Sequence, residues 1–239
     1  MITTCLFDLD GTLLPMDQDT FVKAYFSGLV RAMAPYGYDP ALLTKAIGAG
    51  TMAMIRNNGS ARNEAVFWKT AQAVFGQDLQ KDEDRFLHFY ENEFQQVSQV
   101  CGKNPQAAES IAAIRAMGYR TILATNPLFP PVATYSRVRW AGLEPEDFEW
   151  ITTYDNSSFC KPNLDYYREI LALRGLKPEE CLMVGNDVSE DMVAQALGMR
   201  VFLLTDCLIN RENRDISVYP NGSFPELISY VKALNSLSF

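Results

Sequence analysis

The sequence predicts an α/β fold: a doubly wound, mainly parallel, Rossmann-like sheet with an all-helical domain inserted after the first strand. Three observations predict this fold. Short apolar runs end in polar residues, which is typical of buried parallel strands. Helical patterns that end at glycines alternate with these runs, as in doubly wound sheets. One long stretch near the start shows helical spacing throughout and interrupts the alternation.

Five apolar runs have the length and composition of buried strands. Polar residues follow each run, and in an open α/β sheet such residues collect at the carboxyl edge, where ligands bind. The predicted strands are residues 3–7, 120–124, 149–152, 181–184 and 201–204.

Helical patterns separate the later strands. They cover residues 105–117, 164–173 and 191–197. Gly118, Gly175 and Gly198 follow these stretches, where a residue in the left-handed conformation commonly ends a helix.

The stretch from residue 17 to residue 100 contains only helical spacing, for example at Phe21, Tyr25 and Leu29. Turn signals divide it near residues 35–37, 57–59 and 75–76. We therefore predict a helical cap domain over residues 17–100 and an α/β catalytic core made of residues 1–16 and 101–239. The aromatic side chains of the cap are expected to form its own core rather than to contact a substrate.

The composition narrows the classes of function. A net charge of −8 over 239 residues argues against a general binder of nucleic acids or anionic membranes, because no basic face could offset it. A small anionic substrate is still compatible, since a few local cations or one metal ion can reverse the sign inside a pocket.

The N-terminus shows neither a basic leader nor a long apolar run, so we expect a cytoplasmic protein without a signal peptide or a membrane helix. The five cysteines are scattered and have no metal-ligand spacing, which favours reduced thiols. The single histidine, His88, lies in a helical pattern and is not expected to supply a Ser-His-Asp triad. The chemistry is then left to carboxylates, hydroxyls and lysine.

The first predicted strand leads into the segment FDLDGTL, residues 7–13. Just beyond a strand end, the carboxylates of Asp8 and Asp10 can approach one pocket. Gly11 permits a tight departure of the chain, and Thr12 offers a hydroxyl and an N–H. A solvated acidic turn would explain a lone Asp-x-Asp, but the apolar lead-in and the Gly-Thr-Leu continuation favour a functional site.

This segment resembles the first motif of the haloacid dehalogenase superfamily, in its phosphatase branch, with proteins like phosphoglycolate phosphatase. Three further segments resemble the other motifs of the family, in the expected order. These are Thr125 with Asn126, Lys161 in the sequence CKP, and Asp187 with Asp191. The helical stretch occupies the position of the family's cap, between the first and second motifs.

The resemblance implies a phosphohydrolase in which Asp8 attacks phosphorus and forms an aspartyl phosphate. Asp10, with its pKa raised by neighbouring carboxylates, would protonate the leaving alcohol and later accept a proton from water. Thr125 and the N–H of Asn126 would hold phosphoryl oxygens, while Lys161 would neutralise developing charge. The substrate would be a small phosphorylated metabolite.

A site with four carboxylates around a phosphate dianion needs cations. Each like-charge pair at ~4 Å costs roughly 4 kcal/mol at an effective dielectric constant near 20. Lys161 supplies one positive charge, and Mg²⁺, which prefers oxygen ligands, would supply two more. We predict ligation by Asp8, Asp187 and Asp191, and the resemblance adds the main-chain carbonyl of Asp10.

Two positions depart from the family's pattern. The fourth motif commonly has an acid directly after glycine, where this chain has Asn186. Either Asp187 or Asn186 would therefore contact the metal, and the charge of Asp187 favours that residue. The third motif often has glycine before its lysine, where this chain has Cys160, which we interpret as a small filler that could also expose the site to oxidation.

Several alternatives stay open. Asp10 argues against a dehalogenase, because a leaving halide takes no proton, but a phosphomutase of the same fold is not distinguished. A phosphonate-cleaving relative would need a cap lysine; Lys23, Lys45 and Lys69 are the candidates, but solvated helical lysines are the favoured interpretation of all three. A phospho-accepting regulatory module is disfavoured by the helical insert. The arginines of residues 56–62 are expected to be solvated rather than to bind a second anionic group.

Overall fold

The computed structural model describes residues 1–236. Within them, a parallel sheet has the strand order β3-β2-β1-β4-β5-β6, so the first strand lies in the middle. The strands are β1 (Thr4–Phe7), β2 (Arg120–Leu123), β3 (Trp150–Ile151), β4 (Cys181–Gly185), β5 (Arg200–Leu204) and β6 (Asn221–Gly222). The order reverses at β1, and such a switch point opens a crevice beyond the carboxyl end of the strand.

The predicted fold class is confirmed, and the five predicted strands are present with altered ends. The largest change is in β3, which covers only Trp150–Ile151 instead of residues 149–152. The short strand β6 was not predicted, because Asn221–Gly222 carries no apolar run.

Helices cover both faces of the sheet and fill the segment after β1. They are α1 (Gln18–Met33), α2 (Pro40–Ile55), α3 (Asn63–Phe75), α4 (Glu83–Glu91), α5 (Pro105–Ala116), α6 (Pro131–Trp140), α7 (Leu164–Arg174) and α8 (Phe224–Ser236). The predicted helix over residues 191–197 is instead a 3-10 helix, Met192–Leu197, which starts after Asp191. Helices α6 and α8 were not predicted.

Alternation along the strands fills a core on each face. Cys5 and Phe7 of β1 pack in one apolar cluster with residues of α5 and α8. Leu6 packs in another cluster on the opposite face with residues of α7. The period of two in a strand explains this division.

Helices α1–α4 have a core of their own, rich in aromatic side chains, in which Phe89 and Phe94 are almost fully buried. This cluster also includes Tyr154 and Cys160 from the α/β part of the chain. The two ends of the helical stretch lie side by side, because Met16 and Cys101 form an antiparallel bridge.

The start of α3 is fixed to the loop before Lys161. The backbone N–H of Asn63 donates to the carbonyl of Ser157 over 2.9 Å, and Arg62 pairs with Glu169 over 2.7 Å. Gly59 lies so close to Phe159 that a Cβ there would meet the ring at 2.2 Å. Helices α1–α4 are thereby held over the carboxyl edge of the sheet. As for membranes, the helices within residues 1–236 all lack the length and hydropathy that a bilayer span requires.

Candidate active site

Asp8 directly follows the last residue of β1, and its carboxylate is contacted from two sides. Its N–H still bonds to the carbonyl of Val184 on β4, so the strand register fixes the backbone. Lys161 Nζ donates to Asp8 Oδ1 over 2.8 Å, and Thr12 Oγ1 lies 3.0 Å from Asp8 Oδ2. Asp8 is only 8% exposed, so its carboxylate has a fixed orientation at the central strand end.

Lys161 is a fully buried cation between two carboxylates. Besides Asp8, its ammonium group contacts Asp191 Oδ1 over 2.7 Å. Burial lowers the pKa of Lys161, but the charges of Asp191 and Asp8 outweigh it, and the pKa lies well above the ordinary value. The lysine is therefore permanently charged.

Asp191 belongs to a tight turn after β4. Its Oδ2 accepts a hydrogen bond from the N–H of Asp187 over 3.0 Å, so both of its oxygens are engaged. A Cβ at Gly185 would lie 2.1 Å from that same oxygen, which explains the glycine at the strand end. Burial raises the pKa of Asp191, against the lowering effect of Lys161.

Asn186 and Asp187 differ in their surroundings. Asn186 is 1% exposed; its Oδ1 lies 2.8 Å from Thr12 Oγ1, and its Nδ2 donates to the carbonyl of Cys207 over 2.6 Å. Asp187 is more accessible, and its Oδ1 accepts from the N–H groups of Ser189 and Glu190. Both residues line the cavity, but the amide of Asn186 braces the turn, whereas Asp187 presents a more accessible carboxylate.

Thr125 and Asn126 follow β2 and line the same cavity as Asp8. The carbonyl of Thr125 accepts hydrogen bonds from Thr152 Oγ1 and Tyr166 Oη, at 2.6 and 2.9 Å, which fixes its backbone. Within the described residues, Thr125 Oγ1 and Asn126 Oδ1 are buried without a hydrogen-bond partner. Buried polar atoms are normally paired, so these two atoms suit a polar ligand.

Asp10 makes a partly buried ion pair that the sequence did not predict. Its Oδ2 accepts a hydrogen bond from Nη1 of Arg137, a fully buried residue of α6. Its Oδ1 is buried and has no partner in the described part of the chain. Burial raises the pKa of Asp10, against the lowering effect of Arg137; the charge of Asp8 also raises it. Arginine can only donate, so a proton on this carboxyl group belongs on Oδ1.

Arg137 itself is enclosed by aromatic rings. Its guanidinium carbon lies 4.5 Å from the ring centre of Phe129 and 6.0 Å from that of Phe21, on α1. Ala133 and Thr134, one turn earlier on α6, are buried as well. The sequence of α6 has no clear apolar period, so it gave no sign that Arg137 would be buried beside Asp10.

A cavity of about 450 Å³ joins these residues to helices α1–α4. We call the polar side at the carboxyl edge of the sheet the floor; it is formed by Asp8, Asp10, Thr125, Asn126, Asn186, Asp187, Glu190 and Asp191, with Lys161 behind them. We call the opposite side the roof; it is formed by the cavity-facing side chains of α1–α4. Some aromatic residues of these helices belong to both the helical core and the cavity wall. Phe21, Trp68 and Phe86 pack in the core of α1–α4 and also line the cavity.

Glu190 is a floor residue that the sequence did not single out. Its Oε2 accepts a hydrogen bond from Asn126 Nδ2 over 3.2 Å. Burial raises its pKa to about 7, with Lys161 acting in the opposite direction. The sequence places Glu190 directly before Asp191, but it does not show whether an acidic side chain on a turn faces a cavity.

The other sequence candidates lie away from the floor. His88 is exposed on α4 and contacts Asn92. Lys23, Lys45 and Lys69 are exposed and do not line the cavity. The Cys160 thiol is buried against Asn63, and burial raises its pKa to about 12, which agrees with a filler role and not with an oxidisable thiol.

The floor fits a hard divalent cation, although its side chains alone do not form a complete metal site. No group of three or more His, Cys, Asp or Glu side chains within residues 1–236 is arranged to hold a metal ion. Magnesium, however, is usually bound through one or two carboxylates together with waters and substrate oxygens. The floor offers only oxygen donors, and its acids outnumber its single lysine. Such a donor set and charge balance fit a divalent cation.

A family model for the haloacid dehalogenase-like hydrolases matches residues 2–198. The chain belongs to this family. The match includes every floor residue, and it confirms the family to which the four motifs were assigned. Members of the family are hydrolases, and the parallel sheet with its helices has the fold of the family.

Two curated relatives of this haloacid dehalogenase-like hydrolase are named glyceraldehyde 3-phosphate phosphatases. The protein of Methanothermobacter thermautotrophicus is 28% identical over 134 residues, which are 56% of this chain and 57% of the relative. The protein of Methanocaldococcus jannaschii is 29% identical over 132 residues, 54% of this chain and 57% of the relative. The chain thus matches little more than half the length of either relative.

Solved structures agree in fold over almost the whole chain. A HAD phosphatase from Thermococcus onnurineus has a TM-score of 0.59 at 19% identity, covering 96% of this chain and 98% of that one. A 2-haloacid dehalogenase from Pseudomonas syringae has a TM-score of 0.64 at 20% identity, covering 98% and 99%. Since both chemistries occur on this fold, the fold alone does not select between them.

Proposed function

We propose that the chain is a magnesium-dependent phosphohydrolase that cleaves phosphomonoesters through an aspartyl phosphate on Asp8. The observation that carries this proposal is the carboxylate of Asp8, fixed between Lys161 and Thr12 at the end of the central strand and facing the cavity. The phosphatase names of the curated relatives support the same activity. We further propose that residues 17–100 form a cap domain over a core of residues 1–16 and 101–239.

In the first step, a carboxylate oxygen of Asp8 attacks phosphorus, and the bond from phosphorus to the leaving oxygen breaks. Asp10 donates the proton on its Oδ1 to that oxygen, so the product leaves as a neutral alcohol. Arg137 holds the other oxygen of Asp10, and within the described residues Oδ1 has no hydrogen-bond partner that would compete for the proton. Arg137 therefore acts as a positioning residue for the acid.

In the second step, water attacks the phosphorus of the aspartyl phosphate and transfers a proton to Asp10. The acyl-phosphate bond breaks, phosphate leaves and the carboxylate of Asp8 is restored. Thr125 Oγ1 and the N–H of Asn126 would hold phosphoryl oxygens in both steps. Lys161 offsets the charge that gathers on Asp8 and the phosphoryl group.

Bound magnesium would add positive charge opposite the phosphoryl oxygens and the carboxylates. We propose Asp8, the main-chain carbonyl of Asp10 and Asp187 as its protein ligands, with Asp191 behind them. Asp187 is preferred to Asn186 because the amide of Asn186 is engaged at both ends, whereas Asp187 is charged and more accessible.

The test is phosphate release from phenyl phosphate by the native chain, with magnesium or with a chelator. We expect activity that requires the metal and falls by at least ~10⁴-fold in Asp8→Asn. Asp19→Asn, an exposed acid in the first turn of α1, is the matched control and should keep full activity. Equal phosphate release by Asp8→Asn and the native chain would overturn the proposal.

A further inference from the structure

The roof of the cavity is apolar over most of its extent. Aromatic side chains reach it from α1, α3 and α4, among them Tyr25, Trp68 and Phe86. Helix α2 adds aliphatic side chains, including Ile47 and Ile55. Ligand sites of this volume and lining generally bury most of a ligand with a large apolar part.

The cavity lacks a free cation for a second anionic group. Among the described residues that line it, none is Lys, Arg or His. Lys161 and Arg137 lie behind the lining, and each is already bonded to carboxylates of the floor. Glu83 adds a further acid on the side of α4. A carboxylate or a second phosphate on the leaving group would meet negative charge and apolar walls, where an unpaired ion is strongly disfavoured.

Apolar side chains also surround the opening. Val22, Met52 and Leu87, from three different helices, line the cavity although they are 47%, 44% and 37% exposed. Exposed apolar groups that converge on one opening indicate a binding surface.

Gly48 leaves additional space on the side of α2. It lies inside the helix and lines the cavity, and a Cβ built there meets no atom within 4 Å. Glycine inside a helix lowers stability by about 1 kcal/mol relative to alanine. A glycine at a position where alanine would fit therefore indicates a requirement other than stability. Space for a bulky ligand is such a requirement.

We infer that the substrate is the phosphomonoester of a large, uncharged, apolar alcohol, with an aromatic group lodged under the roof. This inference rests on the proposed phosphatase function for the phosphoryl end and concerns the leaving group only. It sets the chain apart from its curated relatives, which are named for glyceraldehyde 3-phosphate, a small and hydrophilic ester.

Three primary alkyl phosphates with closely similar leaving groups test this inference: 2-(1-naphthyl)ethyl phosphate, ethyl phosphate and 2-carboxyethyl phosphate. Their dissociation constants are measured by calorimetry on Asp8→Asn with magnesium, and kcat/KM is measured on the native chain. Burial of the naphthyl group should tighten binding on the order of 100-fold over ethyl phosphate. The carboxyethyl ester should bind no better than ethyl phosphate.

Gly48→Leu tests the location of the apolar group. It should lower kcat/KM for the naphthylethyl ester at least ~10-fold more than it lowers kcat/KM for ethyl phosphate. Thr44→Leu, at an exposed position of α2 that does not line the cavity, is the matched control and should leave the preference intact.

The outcomes separate this inference from the proposed function. Hydrolysis that depends on Asp8, with equal or inverted preference among the three esters, overturns the inference and supports the phosphatase. Selective binding of the naphthylethyl ester without hydrolysis of any ester supports the inference and overturns the phosphatase. If the chain shows no binding preference and hydrolyses none of the esters, both the inference and the proposed function are overturned.

Discussion

The floor and the roof of the cavity are held together by different kinds of interaction. In the floor, directional contacts hold nearly every polar side chain, such as the pairs Lys161–Asp8, Lys161–Asp191 and Arg137–Asp10. In the roof, the side chains meet mainly through ring contacts and apolar packing, as between Phe67 and Trp68. A network of charges has one arrangement, whereas an apolar wall tolerates many shapes of similar volume.

This difference suggests a division of roles. The floor can carry the same phosphoryl chemistry for any ester, because it contacts only the reacting group. The roof can set which alcohol is accepted. Changes in the floor should therefore lower stability and activity together, whereas changes in the roof should alter the choice of substrate.

The largest effect is expected for Lys161→Met. It leaves Asp8 and Asp191 buried without their shared cation, which should lower the free energy of unfolding by roughly 3–5 kcal/mol and the activity by at least ~10³-fold. Urea unfolding and phosphate release measure the two effects. Arg168→Met, which breaks the exposed pair with Asp165, is the matched control and should change neither.

The pH dependence of Lys161→Met sharpens this test. Burial and the charge of Asp8 raise the pKa of Asp191, and the loss of the lysine removes the charge that lowers it, so its folded-state pKa rises further above the unfolded value. The folded variant then binds more protons than the unfolded chain, so its stability rises as the pH falls. The stability deficit should be smaller at pH 5 than at pH 8, and a deficit that grew on acidification would contradict a buried pair of carboxylates.

Arg137→Met should have an intermediate effect. We expect a loss of roughly 3 kcal/mol in stability, because Asp10 loses its buried partner, and a loss of activity near 10²-fold, because the acid is no longer positioned. The loss should be larger for phenyl phosphate than for 4-nitrophenyl phosphate, whose leaving group needs less protonation.

Arg139→Met provides the control on the same helix, because Arg139 forms only an exposed pair with Glu144. A purely structural role for Arg137 would lower the rates of both esters by the same factor. That result would remove Arg137 from the proposed mechanism.

The smallest effects are expected in the roof, from two glycines of α2. A Cβ at Gly50 would lie 2.6 Å from the ring of Phe67, so Gly50→Ala should destabilise the chain by about 1–3 kcal/mol and displace Phe67. Gly48→Ala faces open space and should stabilise it by about 1 kcal/mol. Thermal unfolding distinguishes these opposite signs, and equal signs would contradict the packing of α2 against α3.

The same contrast explains how much could be predicted from the sequence. Residues of the floor follow strands, so short motifs at strand ends predicted Asp8, Asp10 and Thr125 at one sheet edge, and the family resemblance added Lys161. The fold class followed from the same alternation of strands and helices. The roof could not be predicted in this way, because the side that a helix turns toward a cavity depends on how neighbouring helices pack.

Arg137 shows the limit within the floor. Its partner Asp10 is distant in sequence, and α6 has no clear apolar period that would have revealed the helix. For a similar reason, the sequence did not predict that the aromatic residues of the roof line the cavity. Phe21 and Trp68 have helical core spacing, which does not show that the same side chains also border a cavity.

The central claim is that Asp8 is the nucleophile of a phosphoryl transfer, and the most direct measurement is the covalent intermediate itself. The chain is mixed with the naphthylethyl ester and with 4-nitrophenyl phosphate in the presence of magnesium, quenched in acid within one turnover and mapped by peptide mass spectrometry. The account predicts a phosphoryl group on the peptide that contains Asp8, absent from Asp8→Asn and more abundant in Asp10→Asn with the nitrophenyl ester, because water then attacks without its base. Phosphate release by the native chain with no phosphorylated Asp8 at any time in the turnover would contradict it.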